Sequence, residues 1–111
     1  MKRTYGCAVE LALDVLGGKW RTVILARIKE GAQRYADLRR SVPHMSEKML
    51  TQRLAELVDA GLIQRKNGAY VLTSRGESAR NVLQALHAWG ERVGPELGAR
   101  VQAAPSKARV A

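Results

Sequence analysis

The sequence contains no phenylalanine, and aromatic residues of all kinds make up only 5% of its 111 residues. A hydrophobic core must therefore be built from aliphatic side chains. Cys7 is the one cysteine, which excludes an internal disulfide and fits a reducing cytosol. No apolar run approaches the roughly 18 residues needed to span a bilayer. Because Glu10 and Asp14 interrupt the apolar N-terminal stretch, it does not serve as a signal sequence. We expect a cytoplasmic protein with no segment that crosses a membrane.

Residues of the kinds that bind metals or carry out catalysis are also sparse. His44, His87 and Cys7 lack the spacing of a metal-ligand set. Gly17-Gly18 matches neither of the glycine-rich phosphate-binding fingerprints, and we find no pairing of a nucleophile with a base. We therefore expect no metal, no cofactor and no enzymatic activity.

Positive charge is the most pronounced feature of the composition. The formal net charge is +9, from 19 lysines and arginines against 10 acidic residues. Such an excess attracts a polyanion over a Debye length. Nucleic acid is the first candidate and an anionic membrane surface the second, while a charge that serves only solubility is the plain alternative. Composition alone does not choose among them.

The spacing of apolar residues predicts four helices before residue 61. The first carries Val9, Ala12, Leu13 and Leu16 at helical spacing and ends at Gly17-Gly18. The second buries Trp20, Val23, Ile24 and Ile28, the third contains Tyr35 and Leu38, and the fourth is capped by Ser46. The predicted bounds are residues 19–31 for the second helix, 34–43 for the third with its stop at Pro43, and Ser46 to Gly61 for the fourth.

After Gly61 the pattern changes to two β-prone runs, LIQR and AYVLT. They flank Asn67-Gly68, which is the strongest short signal for a β-hairpin. The order of elements predicts a mainly α-helical protein with a small two-stranded β wing, that is, a winged helix-turn-helix with an added C-terminal helix. We expect residues 1–103 to form a single domain and residues 104–111 to be a disordered tail.

The last helix is predicted to begin within TSRGE. Ser74 and Glu77 have the spacing of a capping box, and Thr73 is an equal candidate for the cap. We expect a break or kink near the middle of this helix, where Gly90, Gly94 and Pro95 occur. Its long apolar stripe consists of Ala79, Val82, Leu83, Leu86, Trp89, Val93 and Leu97.

The fourth helix has one apolar face and one polar face. Leu50, Leu54 and Leu57 fall in a narrow sector that should face the core. The opposite face carries Lys48, Gln52, Ala55 and Asp59, with Met49 and Thr51 on its flanks. The N-terminal half of that face is basic or uncharged, and acidic residues enter only in the second half. This polarity suits a helix that enters the major groove of DNA with its N-terminus first.

Particular side chains have plausible DNA partners. Gln52 suits a bidentate pair with adenine and Thr51 a base edge or methyl group, while Lys48 and Arg53 suit phosphate or guanine. A solvated helix face beside an ordinary basic hairpin is the alternative, but the joint pattern and the net charge favour DNA. The full set of candidate DNA-binding residues is Arg39, Ser46, Lys48, Met49, Thr51, Gln52, Arg53, Arg65 and Lys66.

Several motifs in series resemble the HxlR family of bacterial transcriptional regulators, relatives of MarR. They are Cys-x-Val-Glu from residue 7, Gly-Gly-Lys-Trp at 17–20, Arg-Tyr-x-x-Leu-Arg at 34–39, Ser-x-Lys-Met-Leu-Thr-Gln at 46–52, Leu-Thr-x-x-Gly at 72–76 and Ala-Trp-Gly at 88–90. The resemblance implies a homodimeric winged-helix protein that binds double-stranded DNA, with dimer contacts from the first and last helices. The wing is shorter here than in typical members, so Arg65 and Lys66 are expected to reach phosphate rather than the minor groove.

The resemblance also implies a role for Cys7. Some members use a cysteine near this position to sense quinones or oxidants, and a helix N-terminus close to Lys2 and Arg3 favours the thiolate. Without a second cysteine, oxidation would give an intersubunit disulfide or an adduct. The alternatives are a small apolar residue packed at the helix start and, for the whole protein, a winged-helix protein-interaction module without sequence-specific DNA binding.

Overall fold

The computed structural model describes residues 3–102, so the prediction for the tail 104–111 lies outside the described residues. Six helices and one hairpin follow each other along this part of the chain. They are α1 (Ala8–Leu16), α2 (Gly18–Lys29), α3 (Tyr35–Ser41), α4 (Glu47–Asp59), β1 (Ile63–Lys66), β2 (Ala69–Leu72), α5 (Ser74–Ser78) and α6 (Arg80–Glu96). Within residues 3–102 we find no helix with both the length and the apolar character that a membrane crossing requires.

Helix α2 lies at the centre of the fold and contacts α1, α3, α4, α6 and β2. Ile24 and Leu25 are completely buried and Ile28 nearly so, while Trp20 and Val23 pack against the edge of the core. The core is aliphatic, as the absence of phenylalanine predicts. Its buried members are Leu16, Ile24, Leu25, Ile28, Leu38, Val42, Met45, Leu50, Leu54, Leu57, Leu62, Ile63 and Leu83.

The predicted start of α4 is confirmed in detail. The Ser46 hydroxyl accepts a hydrogen bond from the Met49 amide at 3.1 Å and so caps the helix. At the other end Gly61 has a φ of +74°, the left-handed conformation that turns the chain out of the helix. Leu50, Leu54 and Leu57 are all buried, which fixes the outward face of α4 as the one predicted from sequence.

The hairpin pairs Ile63 with Leu72 and Lys66 with Ala69 in an antiparallel register. Asn67 and Gly68 both have positive φ, at 54° and 80°, as a type I′ turn requires. A third segment, not expected from the sequence, joins this sheet. Gln33 exchanges two backbone hydrogen bonds with Tyr70, at 3.0 and 2.7 Å. The wing is therefore held to the segment that leads into α3.

The single last helix predicted from the sequence is instead two helices, α5 and α6, with Ala79 between them. Thr73 rather than Ser74 is the cap, because its hydroxyl accepts from the Gly76 amide at 3.1 Å. The expected break near the middle of the last helix was wrong: α6 runs without interruption to Glu96. It ends in a Schellman motif, in which Gly98 has a φ of +70° and the Ala99 amide donates to the Gly94 carbonyl at 2.8 Å.

The short helix α5 depends on a close approach at Gly76. A Cβ atom added at this position would lie 2.2 Å from the backbone oxygen of Leu62 and 3.1 Å from Leu72. A backbone oxygen cannot swing aside as a flexible side chain can. Gly76 therefore lets α5 pack directly on the chain that enters the wing.

We predict opposite effects of alanine at two helical glycines. Gly76→Ala should lower the free energy of unfolding by about 1–3 kcal/mol or more, since the added methyl group overpacks a rigid contact. Gly90→Ala in α6, where an added Cβ meets nothing within 4 Å, should raise it by about 0.5–1 kcal/mol. Urea denaturation at one protein concentration measures both. Equal effects of the two substitutions would contradict the close approach at Gly76.

Candidate DNA interface

The outward face of α4 presents three polar side chains near its N-terminal end. Lys48, Thr51 and Gln52 are exposed, and none of them forms a hydrogen bond or an ion pair with any residue between 3 and 102. The amides of the first turn and the helix dipole add partial positive charge at this end. These three side chains are therefore exposed and unengaged at the positive end of the helix, where an incoming polyanion would meet them.

Three other candidates from the sequence already have contacts within the fold. Met49 is half-buried and packs against the core. Arg53 donates to Glu56 at 2.6 Å, a contact within α4. Arg39 donates from one guanidinium nitrogen to the Met45 carbonyl at 2.6 Å. Sequence reasoning did not foresee these contacts, which give each residue a structural role alongside any contact with DNA.

The turn between α3 and α4 is tightly organised by its own backbone and by Arg39. Met45 and Val42 are buried, and the Met45 amide donates to the Val42 carbonyl at 3.0 Å. Arg39 closes the same turn from the outside through the Met45 carbonyl. Since Ser46 follows immediately, this turn fixes where α4 begins and how its N-terminus is directed.

The wing adds three cations close to its turn. Arg65 lies over the Tyr70 ring at 5.3 Å from the centroid, which holds its side chain in a cation–π contact. Lys66 is exposed and unpaired within the described residues. Arg34 was missed as a site residue by sequence reasoning; its guanidinium faces the carbonyls of Asn67 and Gly68 at 3.4 and 3.5 Å. Only its place in the Arg-Tyr motif before α3 hinted at a role.

Negative charge collects at the opposite end of α4. Asp14, Glu56 and Asp59 line a cleft of about 400 Å³ together with Arg21. Arg21 also donates to the Val15 carbonyl at 3.0 Å, which links the end of α1 to this cleft. Lys48 therefore lies at one end of α4 and Glu56 and Asp59 at the other, although Glu47 adds one acidic side chain to the first turn.

Ion pairs near the start of α6 change the pKa values of their members. Arg80 donates to Glu77 at 3.0 and 2.7 Å, which lowers the pKa of the Glu77 carboxyl and raises the pKa of Arg80. A hydrogen bond from Lys29 lowers the pKa of Glu30. Arg80 also donates to the Lys29 carbonyl at 3.2 Å, so these groups join α2 to the start of α6. Among residues 3–102 no three histidine, cysteine or acidic side chains come close enough to hold a metal ion.

Helices α1 and α6 expose large apolar side chains. Val9 and Leu13 on α1 remain 66% and 63% exposed, and Trp89 on α6 remains 58% exposed. Of the apolar residues that predicted α1, only Leu16 is buried. An apolar groove of about 290 Å³ lies between α1 and the junction of α5 and α6, and Leu11 of α1 and Val82 of α6 are among the residues that line it. Cys7 occupies the N-cap position of α1 and is exposed. This exposure argues against the alternative in which Cys7 is a small apolar residue packed at the helix start within one protomer.

Comparison with known proteins gives consistent matches. A family model described as HxlR-like helix-turn-helix matches residues 15–97, a span that leaves Cys7 outside. The uncharacterised HTH-type transcriptional regulator YtcD of Bacillus subtilis is 40% identical over 96 residues, which cover 80% of this chain and 76% of that protein. The oxidised form of the redox regulator HypR superposes with a TM-score of 0.72 at 32% identity and covers 78% of this chain and 96% of its own. Quinone-bound YodB from B. subtilis superposes with a TM-score of 0.66 at 31% identity, and the match covers 76% of this chain and 96% of the YodB chain.

Proposed function

Because this chain belongs to the HxlR-like helix-turn-helix family and is a DNA-binding transcriptional regulator rather than an enzyme, we propose that it recognises a pseudo-palindromic operator as a homodimer. The observation that carries the proposal is the outward face of α4, where Lys48, Thr51 and Gln52 are exposed and unengaged. In a two-fold dimer, two such helices enter successive major grooves about 34 Å apart.

The two parts of the interface have different tasks in this proposal. Gln52 and Thr51 read base edges, because an amide can pair with adenine at two points and a hydroxyl or methyl group can contact thymine. Lys48 holds phosphate or guanine at the N-terminal end of the helix. Arg65 and Lys66 hold the phosphate backbone from the wing, whose tight turn limits its reach. Arg39 and Arg53 contribute through the guanidinium nitrogens that their internal contacts leave available.

The homodimer is formed by α1 and α6. Val9, Leu13 and Trp89 are too exposed to contribute to the core of one protomer, and large exposed apolar side chains on neighbouring helices are typical of an interface. A two-fold arrangement places the same surface of each chain against the other. Pairing through these helices leaves α4 and the wing free for DNA.

Cys7 makes the regulator responsive to oxidants or quinones. Its thiol is exposed at the start of α1, the helix assigned to the dimer. A thiolate can add to a quinone ring, or two thiolates from the two protomers can form a disulfide as an oxidant such as diamide takes up their two electrons. Either product changes the surface of α1 and so the spacing of the two recognition helices. HypR and YodB, which resemble this chain, are known in oxidised and quinone-bound forms.

We predict that Gln52→Ala and Lys66→Ala weaken DNA binding in different ways. Gln52→Ala should cost about 1–3 kcal/mol on the operator and relax discrimination at one base position. Lys66→Ala should weaken operator and random DNA alike and reduce the salt slope by about one unit. Fluorescence anisotropy across a salt series measures both effects.

Lys19→Ala is the matched control for Lys66, since it removes the same charge from a lysine on α2 that contacts Trp20. It should leave the salt slope nearly unchanged. Equal effects of the Gln52 and Lys66 substitutions on operator and random DNA would refute the division of roles. Wild-type protein that does not distinguish genomic fragments from random DNA would instead favour a protein-interaction module.

We predict that charge on α1 or α6 separates the protomers. Leu13→Glu and Trp89→Glu each place a carboxylate in the proposed apolar interface, so each should shift the protein from dimer to monomer in analytical ultracentrifugation. Val58→Glu is the control, because Val58 is 45% exposed on α4 and outside that interface. A wild-type monomer at micromolar concentration would overturn the dimer.

We predict that Cys7→Ser abolishes the release of operator DNA by diamide or a quinone. Serine is close to cysteine in size but cannot form a disulfide or a thioether adduct. Gel shift of the same operator before and after treatment is the measurement, and affinity without oxidant should be unchanged. If the variant still releases DNA on treatment, Cys7 is not the sensor.

A further inference from the structure

The backbone carbonyls of the wing turn lie beyond the pairing of the two strands. That pairing ends at Lys66 and Ala69, which leaves the carbonyls of Asn67 and Gly68 outside it. Both face the guanidinium of Arg34, whose terminal nitrogens lie 3.4 Å from the Asn67 oxygen and 3.5 Å from the Gly68 oxygen. Arg34 therefore joins the tip of the wing to the start of α3, more than 30 residues earlier in the chain.

The absence of a side chain at Gly68 favours this approach. A Cβ atom at that position would lie 2.7 Å from Nη1 of Arg34. Gly68 therefore does more than supply the positive φ of the turn, because it also leaves the space beside which the guanidinium lies. The turn residue and the arginine fit each other.

The backbone of Arg34 is held in place on both sides. Gln33, which is bonded to β2 through its backbone, also donates from its side-chain amide to the Arg27 carbonyl of α2 at 3.2 Å. The Arg34 amide donates to the Asp37 carboxylate at 3.0 Å. That carboxylate pairs with the guanidinium of Arg40, so the guanidinium of Arg34 is left to the wing.

Three cations lie close to the turn, namely Arg34, Arg65 and Lys66, and within residues 3–102 none of their side chains pairs with a carboxylate. Carbonyl oxygens carry partial negative charge, which opposes the approach of a phosphate. Arg34 offsets this charge at two carbonyls through charge-assisted hydrogen bonds. It thereby keeps the tip of the wing attractive to an anion and restrains the turn that follows Lys66.

We propose that Arg34 is a positioning residue for DNA binding, which clamps the wing turn so that Lys66 meets the phosphate backbone. A planar guanidinium suits this task, because its parallel N–H groups reach two neighbouring carbonyls, whereas the compact ammonium of lysine has no such fork. Arg34 acts through Lys66 and not by a contact of its own with DNA. The effect on DNA affinity rests on the proposed function, but the clamp itself can be tested on protein free of DNA.

Arg34→Lys tests the clamp, since it keeps the charge and removes the fork. In the DNA-free protein the ¹⁵N–¹H NOE of the Gly68 amide, which reports motion on the picosecond to nanosecond timescale, should fall relative to wild type. Gly98, which also has a positive φ but lies at the end of α6, is the internal reference and should be unchanged. An unchanged NOE at Gly68 would overturn the clamp.

Arg92→Lys is the matched control, because it makes the same exchange at an exposed arginine of α6. It should leave the NOE of Gly68 and the affinity for DNA as they are in wild type. Arg34 is exposed, so its variants should fold, and thermal unfolding checks this. Arg34→Gln is a second variant that removes the fork and should give the same fall in the NOE.

DNA binding separates a clamp from a direct phosphate contact. By fluorescence anisotropy, Arg34→Lys should bind operator and random DNA about threefold to tenfold more weakly than wild type, although the net charge is unchanged. A direct contact would survive the substitution, since lysine also binds phosphate. Affinity equal to that of wild type would therefore refute the positioning role.

A double-mutant cycle with Lys66→Ala shows whether Arg34 acts through Lys66. The loss of affinity caused by Lys66→Ala should be at least about twofold smaller in the Arg34→Lys background than in wild type, and its effect on the salt slope should also be smaller. Independent losses that simply add would contradict the proposal. Wild-type protein that shows no preference for an operator would count against the proposed function alone, because the cycle can be measured on random DNA.

Discussion

The apolar contact between α2 and α4 is the interaction on which the rest of the structure depends. Leu50, Leu54 and Leu57 can be buried only with one rotation of α4 about its axis, and the completely buried Ile24 and Leu25 of α2 provide the opposing surface. That rotation leaves Lys48, Thr51 and Gln52 outside. The identity of the outward face is therefore a consequence of burying leucines, and the polar residues themselves contribute nothing to fixing it.

Features encoded within a few neighbouring residues could be predicted from the sequence. The Ser46 cap and the Asn67-Gly68 turn each depend on one local hydrogen bond or one pair of backbone angles, and both were found as expected. The division into α5 and α6 could not be predicted, because it depends on Gly76 packing against Leu62, which is remote in sequence. The spacing of apolar residues alone predicts one continuous helix across this junction.

In the candidate site, too, local features could be predicted from the sequence and contacts between distant segments could not. Exposure of Lys48 and Gln52 follows from the helical wheel, but the contact of Arg34 with the wing turn joins segments that are more than 30 residues apart in the sequence. The buried Nε of Arg27 is of the same kind, since a basic residue on an amphipathic helix is ordinarily expected at the surface. Tertiary contacts decide which arginines are available to a ligand and which support the fold.

The pair of backbone hydrogen bonds between Gln33 and Tyr70 has a consequence for the thermodynamics of DNA binding. A free two-stranded hairpin of this length is marginally stable and would lose conformational entropy on docking against a nucleic acid backbone. Here Tyr70 is tied to the residue that precedes Arg34 and α3, so the wing and the helix-turn-helix move as one body. The entropy cost of ordering the hairpin is then met during folding, so the phosphate contacts proposed for Lys66 would contribute more fully to affinity.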